Sequence, residues 1–245
     1  MSKSKPFLIH LICCPDERIG YGVHSLNLAK ELLKISENTT TNVLITDPRN
    51  NLLVNKNLGI INKYYKTQTV VNVHLTVGND STLIKASLPG YKVLYTVFES
   101  NVLPIGWKEN LEKFDLVITA SNWGKKVLLN ELDIDNVIVV PEGVDPSIYN
   151  TNGRFSYNNV KDIFTFLMVG KYEIRKSYEE SIKAFLDAFG PNEKCQLLLK
   201  PDNYFVENVH KIVDNLIPKN RNHQVFIISK NNKNEFISKN EMSNL

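Results

Sequence analysis

Short apolar runs alternate with amphipathic stretches along almost the whole chain, and this alternation limits the fold more than any single residue. FLIHLICC, NVLITD, VVNVHLTV, YKVLYTVFE, LVITAS and NVIVV carry apolar residues at consecutive positions. Strands written that way are buried on both faces. Helical patterns lie between them. VHSLNLAKELLKI places Val23, Leu26, Ala29 and Leu33 on one face, as an amphipathic helix requires. PIGWKENLEKF opens on a proline, which a first helical turn accepts. NWGKKVLLNELDI offers Asn122 as N-cap. Strands that alternate with helices predict an α/β fold with a parallel sheet covered on both sides.

The run NVIVV ends in PEGVDPSIYN. Pro141 cannot donate to a strand ladder and so closes the strand. Gly143 is expected to adopt a backbone angle that other residues avoid. Asp145-Pro146 reads as an N-cap with proline in the first turn, so DPSIY should form one turn of helix. The polar, turn-rich NTNGRFSYNNVKD follows as linker, and IFTFLMVG starts a second unit. That unit reads strand (Ile163–Val169), helix (Tyr178–Phe189), strand (Gln196–Lys200), helix (Phe205–Leu216), strand (Gln224–Ser229). The expected domains are 1–148, a linker 149–161, and 162–245. Few strands follow the linker, so the second domain reads as part of a doubly wound domain. Its last strand, Gln224–Ser229, is expected to expose an edge and an apolar face.

Composition excludes several classes. In 245 residues, 42% are hydrophobic and 22% charged, as in ordinary globular proteins. A net charge of +3, with Lys and Arg scattered, gives no nucleic-acid footprint. Cys13 and Cys14 are adjacent and Cys195 is distant, so no pair has zinc-ligand spacing. Reduced, buried thiols in a cytoplasmic protein are the expectation. The apolar start is short and lacks a small-residue cleavage site, so it reads as a first strand and not a leader. No stretch approaches the roughly 20 apolar residues of a membrane span.

Several residues can carry chemistry, and each also has a plain structural reading. Gly20 and Gly22 precede the first helix, where backbone amides and the helix terminus favour a phosphate; the same glycines can simply make a tight loop. Gly20-x-Gly22-x-x-Ser25, with Asp47 ending the second strand, also approaches a dinucleotide fingerprint and would imply an oxidoreductase. Against that, Ser25 stands where the third glycine belongs, and PDERI separates strand from glycine. Glu99 follows YKVLYTVF at a carboxyl end, where open α/β sheets bind ligands. Its carboxylate can orient a hydroxyl or just face solvent. His24 lies beside the glycine loop. Ser121 either lines a ligand site or satisfies a helix N-terminus. Trp107 with Pro104 reads as packing, and His10 and His74 as core residues.

Four segments, in order, resemble the GT-B-fold glycosyltransferases of the group-1 type, glycosyltransferase family 4. GYGVHSLNLAKEL is similar to that family's glycine loop and first helix. FESNVLPIGWKENLEKFDLVITASNWGKKVL is similar to a subgroup's E…P…W…D…S segment. VVPEGVD resembles its P-x-G-V-D exit, and FLMVGKYEIRKSYEESIKAF the G…RKG…AF opening of its second lobe.

The resemblance implies transfer of a sugar from a nucleotide-sugar to a carbohydrate, lipid or protein acceptor. It implies retention of configuration, with neither metal nor resident cofactor. Acceptor residues His24 and Ser121 would lie in the first lobe, the donor in the second. Lys171, Arg175 and Lys176 would meet the charge that builds on the leaving diphosphate, with Gly20 and Gly22 on the phosphates; without the resemblance these three cations read as a solvated basic loop. Glu99 stands where the family often has histidine, and a subgroup has glutamate there. The family's E-x7-E segment is absent. The resemblance therefore also implies a donor domain truncated in this sequence. It leaves open an inactive or split form that acts as a binding module, completed by another chain or by self-association.

Overall fold

In the first unit, neighbouring residues on a strand such as Tyr91–Tyr95 point into different cores, which is why such strands carry consecutive apolar residues. The computed structural model describes residues 7–49, 69–81, 84, 88–150, 163–203 and 205–228. It divides into two compact units, Met1–Gly143 and Val144–Leu245. The expected linker, apart from Tyr149 and Asn150, lies outside the described residues.

In the first unit, β1 (Phe7–Ile12), β2 (Asn42–Thr46), β3 (Thr69–Leu75), β4 (Tyr91–Tyr95), β5 (Leu116–Thr119) and β6 (Val137–Val139) form one sheet, ordered β2-β1-β3-β4-β5-β6. Every pair is parallel. Side chains alternate between faces along a strand. Tyr95 of β4 joins Leu11, Cys13, Leu75 and Ala29 beneath α1 (Gly20–Glu37). Its neighbour Leu94 joins Trp107, Leu111, Phe114, Val117 and Leu128 on the other face, beneath α2 (Lys108–Leu111) and α3 (Asn122–Glu131). Trp107 is a core residue, as expected.

Three local expectations change. The buried stripe of α1 is Gly22, Ser25 and Ala29, with Tyr21, Leu28 and Leu32 packed beside it, while Leu33 is 44% exposed. The helix starts three residues earlier than its apolar pattern, and its smallest residues face the sheet so that it can approach closely. Helix α2 is a single turn: Gly106 at φ +82° keeps Pro104 and Ile105 out of the helix that PIGWKENLEKF was expected to form, and the helix ends at Leu111. Gly143 has no left-handed backbone angle, and a Cβ there would meet nothing within 4 Å. The turn at DPSIY does form: the Asp145 carbonyl accepts from the amides of Ile148 (3.1 Å) and Tyr149 (2.9 Å).

In the second unit, β7 (Phe164–Val169), β8 (Cys195–Lys200) and β9 (Val225–Ile227) are parallel and ordered β7-β8-β9. Both crossovers step the same way, so right-handed connections put both helices on one face. Accordingly α4 (Tyr178–Ala188) and α5 (Val209–Asp214) share one core, where Ile182, Phe185, Val209 and Val213 meet Leu197, Leu199 and Val225. The expected helix from Phe205 is shorter because Asn208 adopts a left-handed φ of 57°. Strand β9 is an edge strand of the described sheet, as expected, with Ser229 outside the described residues, but the larger apolar exposure lies elsewhere. Val225 of β9 is buried, whereas β7, at the opposite edge, exposes Phe164 (65%), Leu167 (44%) and Val169 (44%). Among the described residues, no helix is long and apolar enough to cross a membrane.

His10 lies inside the first sheet, with Nδ1 3.0 Å from Asn72 Oδ1 and Nε2 2.9 Å from Thr46 Oγ1. Burial lowers its pKa against the opposing bond to Asn72. The folded form therefore stays neutral where the unfolded chain, with a pKa near 6.5, takes up a proton. Stability should be full above that value and fall as pH drops below it, by up to about 1.4 kcal/mol per pH unit. Burial also lowers His24, which adds in the same direction. Urea midpoints between about pH 7.5 and 5.5 check this, and His10→Gln should flatten the slope.

Candidate functional site

The carboxyl ends of the strands hold the polar clusters of each unit, and each is described within its own unit. In the first sheet the chain steps from β1 to β2 on one side and later to β3 on the other. This reversal leaves a crevice at the strand ends where α/β proteins bind ligands.

The first turn of α1 faces this end. The Tyr21 hydroxyl donates to the Val97 carbonyl (2.8 Å) and accepts from the Val97 amide (2.9 Å), fixing α1 to the loop after β4. Near that clamp, His24 places Nδ1 2.9 Å from Glu142 Oε1, and its ring stands edge-on to Tyr95 at 4.6 Å. The Tyr95 hydroxyl donates to the Val140 carbonyl at 2.5 Å, holding the segment that carries Glu142. Burial lowers the His24 pKa, and the Glu142 charge and hydrogen bond only partly offset it. At neutral pH the pair is thus a neutral imidazole donating Nδ1–H to a carboxylate. This tautomer leaves Nε2 as the basic nitrogen, the form a general base needs.

Glu99 is exposed in the loop after β4. Burial raises the Tyr21 hydroxyl's pKa first, and the charges of Glu142 and Glu99 raise it further, so both carboxylates act on one patch. Gly20 is exposed and has open space at its Cβ position. Gly22 differs: a Cβ there would lie 1.8 Å from the Asp16 carbonyl oxygen, and its amide donates to the Ile19 carbonyl at 3.0 Å. Its role here is close approach. Ser121, not Asn122, caps α3, its hydroxyl accepting from the Gly124 amide at 3.0 Å. In the same unit, Arg18 donates two hydrogen bonds to Asp16, Nε to Oδ1 and Nη2 to Oδ2, and holds that carboxyl down to about 2. Arg49 pairs with Asp80 and lies 3.3 Å from the Cys14 sulfur.

In the second unit, the loop after β7 carries Lys171, Glu173, Arg175 and Lys176. Its 3₁₀ turn, Ile174–Lys176, ends at Ser177 with φ 52°, so the loop is irregular. Glu173 takes Lys171 Nζ at 2.6 Å and Arg175 Nε at 3.0 Å. The Lys171 ammonium also stands 4.9 Å over the Phe205 ring, a cation–π contact. Lys176 is exposed, its stem running past Gly170.

The loops after β7 and β8 are tied together. Tyr178, buried on α4, aims its hydroxyl at the carbonyls of Gly170 (2.7 Å) and Lys200 (2.9 Å). Asn203 Nδ2 donates to the Tyr172 carbonyl at 2.8 Å. Lys200 ends β8 with a side chain only 3% exposed and pairs with Asp202, which also meets His210 Nε2 at 3.2 Å. Lys171, Arg175, Lys176 and Lys200 share this end with Glu173 and Asp202, and Glu179 and Glu180 follow in the first turn of α4.

Sequence reasoning named Gly20, Gly22, His24, Glu99 and Ser121 in the first unit and Lys171, Arg175 and Lys176 in the second. The structure brings His24 and Glu99 to one patch and the three cations to one loop. It adds Glu142, Tyr21 and Tyr95 to the first, and Glu173, Lys200 and Asp202 to the second. A lysine ending the apolar run CQLLLK, followed by Pro-Asp, was the available signal for the last two. Among the described residues, no group of three His, Cys, Asp or Glu side chains could hold a metal.

The chain aligns in fold with several solved structures. Sucrose-phosphate synthase from Thermosynechococcus elongatus aligns over 98% of this chain and 72% of its own, with TM-score 0.61 and 13% identity. HepE of Anabaena, solved in complex with UDP, aligns over 91% and 68%, with TM-score 0.57 and 12% identity. The fold is GT-B. A putative UDP-N-acetylglucosamine 2-epimerase from Listeria monocytogenes aligns as well, over 93% and 70%, with TM-score 0.53 and 12% identity. The GT-B fold is therefore shared by proteins named for different reactions, and the site has to choose among them. No family model matches the chain, and no curated protein matches it in sequence.

Proposed function

We propose that this GT-B protein transfers a sugar from a nucleotide-sugar to an acceptor, with retention of configuration and without a metal, as a member of glycosyltransferase family 4. The observation that carries this reading is the loop after β7, where Lys171, Arg175 and Lys176 crowd the carboxyl end of a parallel strand. A departing nucleoside diphosphate gathers negative charge on its phosphate oxygens, and fixed guanidinium and ammonium groups stabilise it there. Two of the structural likenesses carry a uridine diphosphate in their names, HepE with UDP and the UDP-N-acetylglucosamine epimerase, which supports a nucleoside diphosphate as the ligand.

In the first unit, the neutral His24 backed by Glu142 suits an acceptor hydroxyl that must lose its proton, and Glu99 suits orienting that hydroxyl. Titration calorimetry with UDP and GDP tests the donor side. Arg175→Ala and Lys176→Ala should each weaken binding by about 1–3 kcal/mol, roughly 5- to 150-fold. Unchanged binding in both variants removes the loop from the site. Anomeric couplings in the product of a transfer assay report retention, and an inverted product rejects that part of the reading.

A further inference from the structure

The loop that carries the three cations also carries an anion of its own. Glu173 gives one carboxylate oxygen to each of two cations: Oε1 lies 2.6 Å from Lys171 Nζ and Oε2 3.0 Å from Arg175 Nε. Two oxygens facing two cations is the arrangement that an edge of a phosphate group presents to the same side chains. The hydrogen bond from Lys171 is the largest of the influences that hold the Glu173 carboxyl below its usual range. Glu173 is not anchored in a core. Its side chain is 28% exposed, and the adjoining Ile174 is 97% exposed, at the tip of the loop. A group held only by the cations it neutralises can be displaced by a stronger anion.

We propose that Glu173 is a built-in competitor for the phosphate site: it pairs with Lys171 and Arg175 and yields both to an incoming diphosphate. This rests on the reading of the loop as the diphosphate site. A diphosphate carries more charge than a carboxylate, so it wins the two cations, but binding is reduced by the pairs that must first be broken. Weakly charged ligands gain too little to displace Glu173, and the site is biased toward the full diphosphate. When the product leaves, the carboxylate returns to the cations and lowers the cost of release.

The opposite role makes the opposite prediction. If Glu173 props Lys171 and Arg175 into position, removing its charge scatters them and weakens binding. The experiment is titration calorimetry of the full chain, using inorganic pyrophosphate and UDP as probes, on wild type, Glu173→Gln and Arg175→Ala. Circular dichroism melts confirm that each variant is folded. Glu173→Gln should bind both probes about 2- to 5-fold more tightly, the scale of an exposed ion pair, while Arg175→Ala should bind them less well. If Arg175→Ala loses affinity but Glu173→Gln binds equally or less well, the competitor role is overturned and the phosphate site stands. If neither wild type nor Glu173→Gln binds either probe, the competitor role falls together with the phosphate site.

Discussion

Gly22→Ala should cost the first unit about 3 kcal/mol, whereas Gly20→Ala, two residues earlier, should stay within roughly 0.5 kcal/mol of wild type. The added methyl at Gly22 would lie 1.8 Å from a backbone carbonyl oxygen, that of Asp16, with the Asp16 nitrogen and carbonyl carbon also within 2.5 Å. Backbone on both sides has to move, because no flexible side chain is there to give way. At Gly20 nothing stands within 4 Å, and alanine is the better helix residue. Thermal unfolding checks the pair: Gly22→Ala should lower the midpoint of the first unit by roughly 10 °C. Equal midpoints for the two variants would mean that the strand-to-helix loop yields easily and that Gly22 is not the residue that lets α1 approach it.

Asp202→Ala should destabilise the second unit by about 2–3 kcal/mol, whereas Lys200→Met should change it by less than about 1 kcal/mol in either direction. The asymmetry comes from burial. The Lys200 side chain is 3% exposed and that of Asp202 33%. Without Asp202, an ammonium group is stranded away from water. Without Lys200, the carboxylate keeps His210 at 3.2 Å and its access to solvent. The partial exposure of Asp202 is the reason for setting the loss below that of a fully buried pair. Urea unfolding of both variants measures it. A Lys200→Met loss as large as that of Asp202→Ala would show that the lysine packs against its surroundings more than it pairs.

Strand positions were legible in the sequence because strands such as β1 and β4 in the first sheet bury consecutive residues, Leu11 and Ile12 or Val93, Leu94 and Tyr95, and that burial writes apolar runs into the chain. Lys171, Arg175 and Lys176 were singled out by the resemblance of FLMVGKYEIRKSYEESIKAF to the family's second-lobe opening, since patterning alone reads them as a solvated basic loop. Helix faces and lengths were less legible. Leu33 fits the apolar periodicity of α1 and yet faces solvent, because the distance to the sheet is set by Gly22, Ser25 and Ala29. The segment PIGWKENLEKF has helical composition and forms one turn, with its start delayed past Gly106, which takes a positive φ.

The sequence by itself determined the alternation of strand and helix, the parallel sheets, the division into two units and the loop that bears the cations. These depend on periodicity, turn residues and charge, which are local properties of the chain. Only the tertiary structure decided which distant groups meet. His24 and Glu142 are far apart in sequence and 2.9 Å apart in space, because the first turn of α1 and the segment after β6 both lie at the carboxyl end of the sheet. The Ser121 hydroxyl accepts from the Gly124 amide, which is the capping reading of that residue. Glu173 was one more charge in a basic loop until its two oxygens were found between Lys171 and Arg175. Burial and contact between remote residues depend on how the whole chain packs, so the partner that each charged group selects is fixed only in the folded chain.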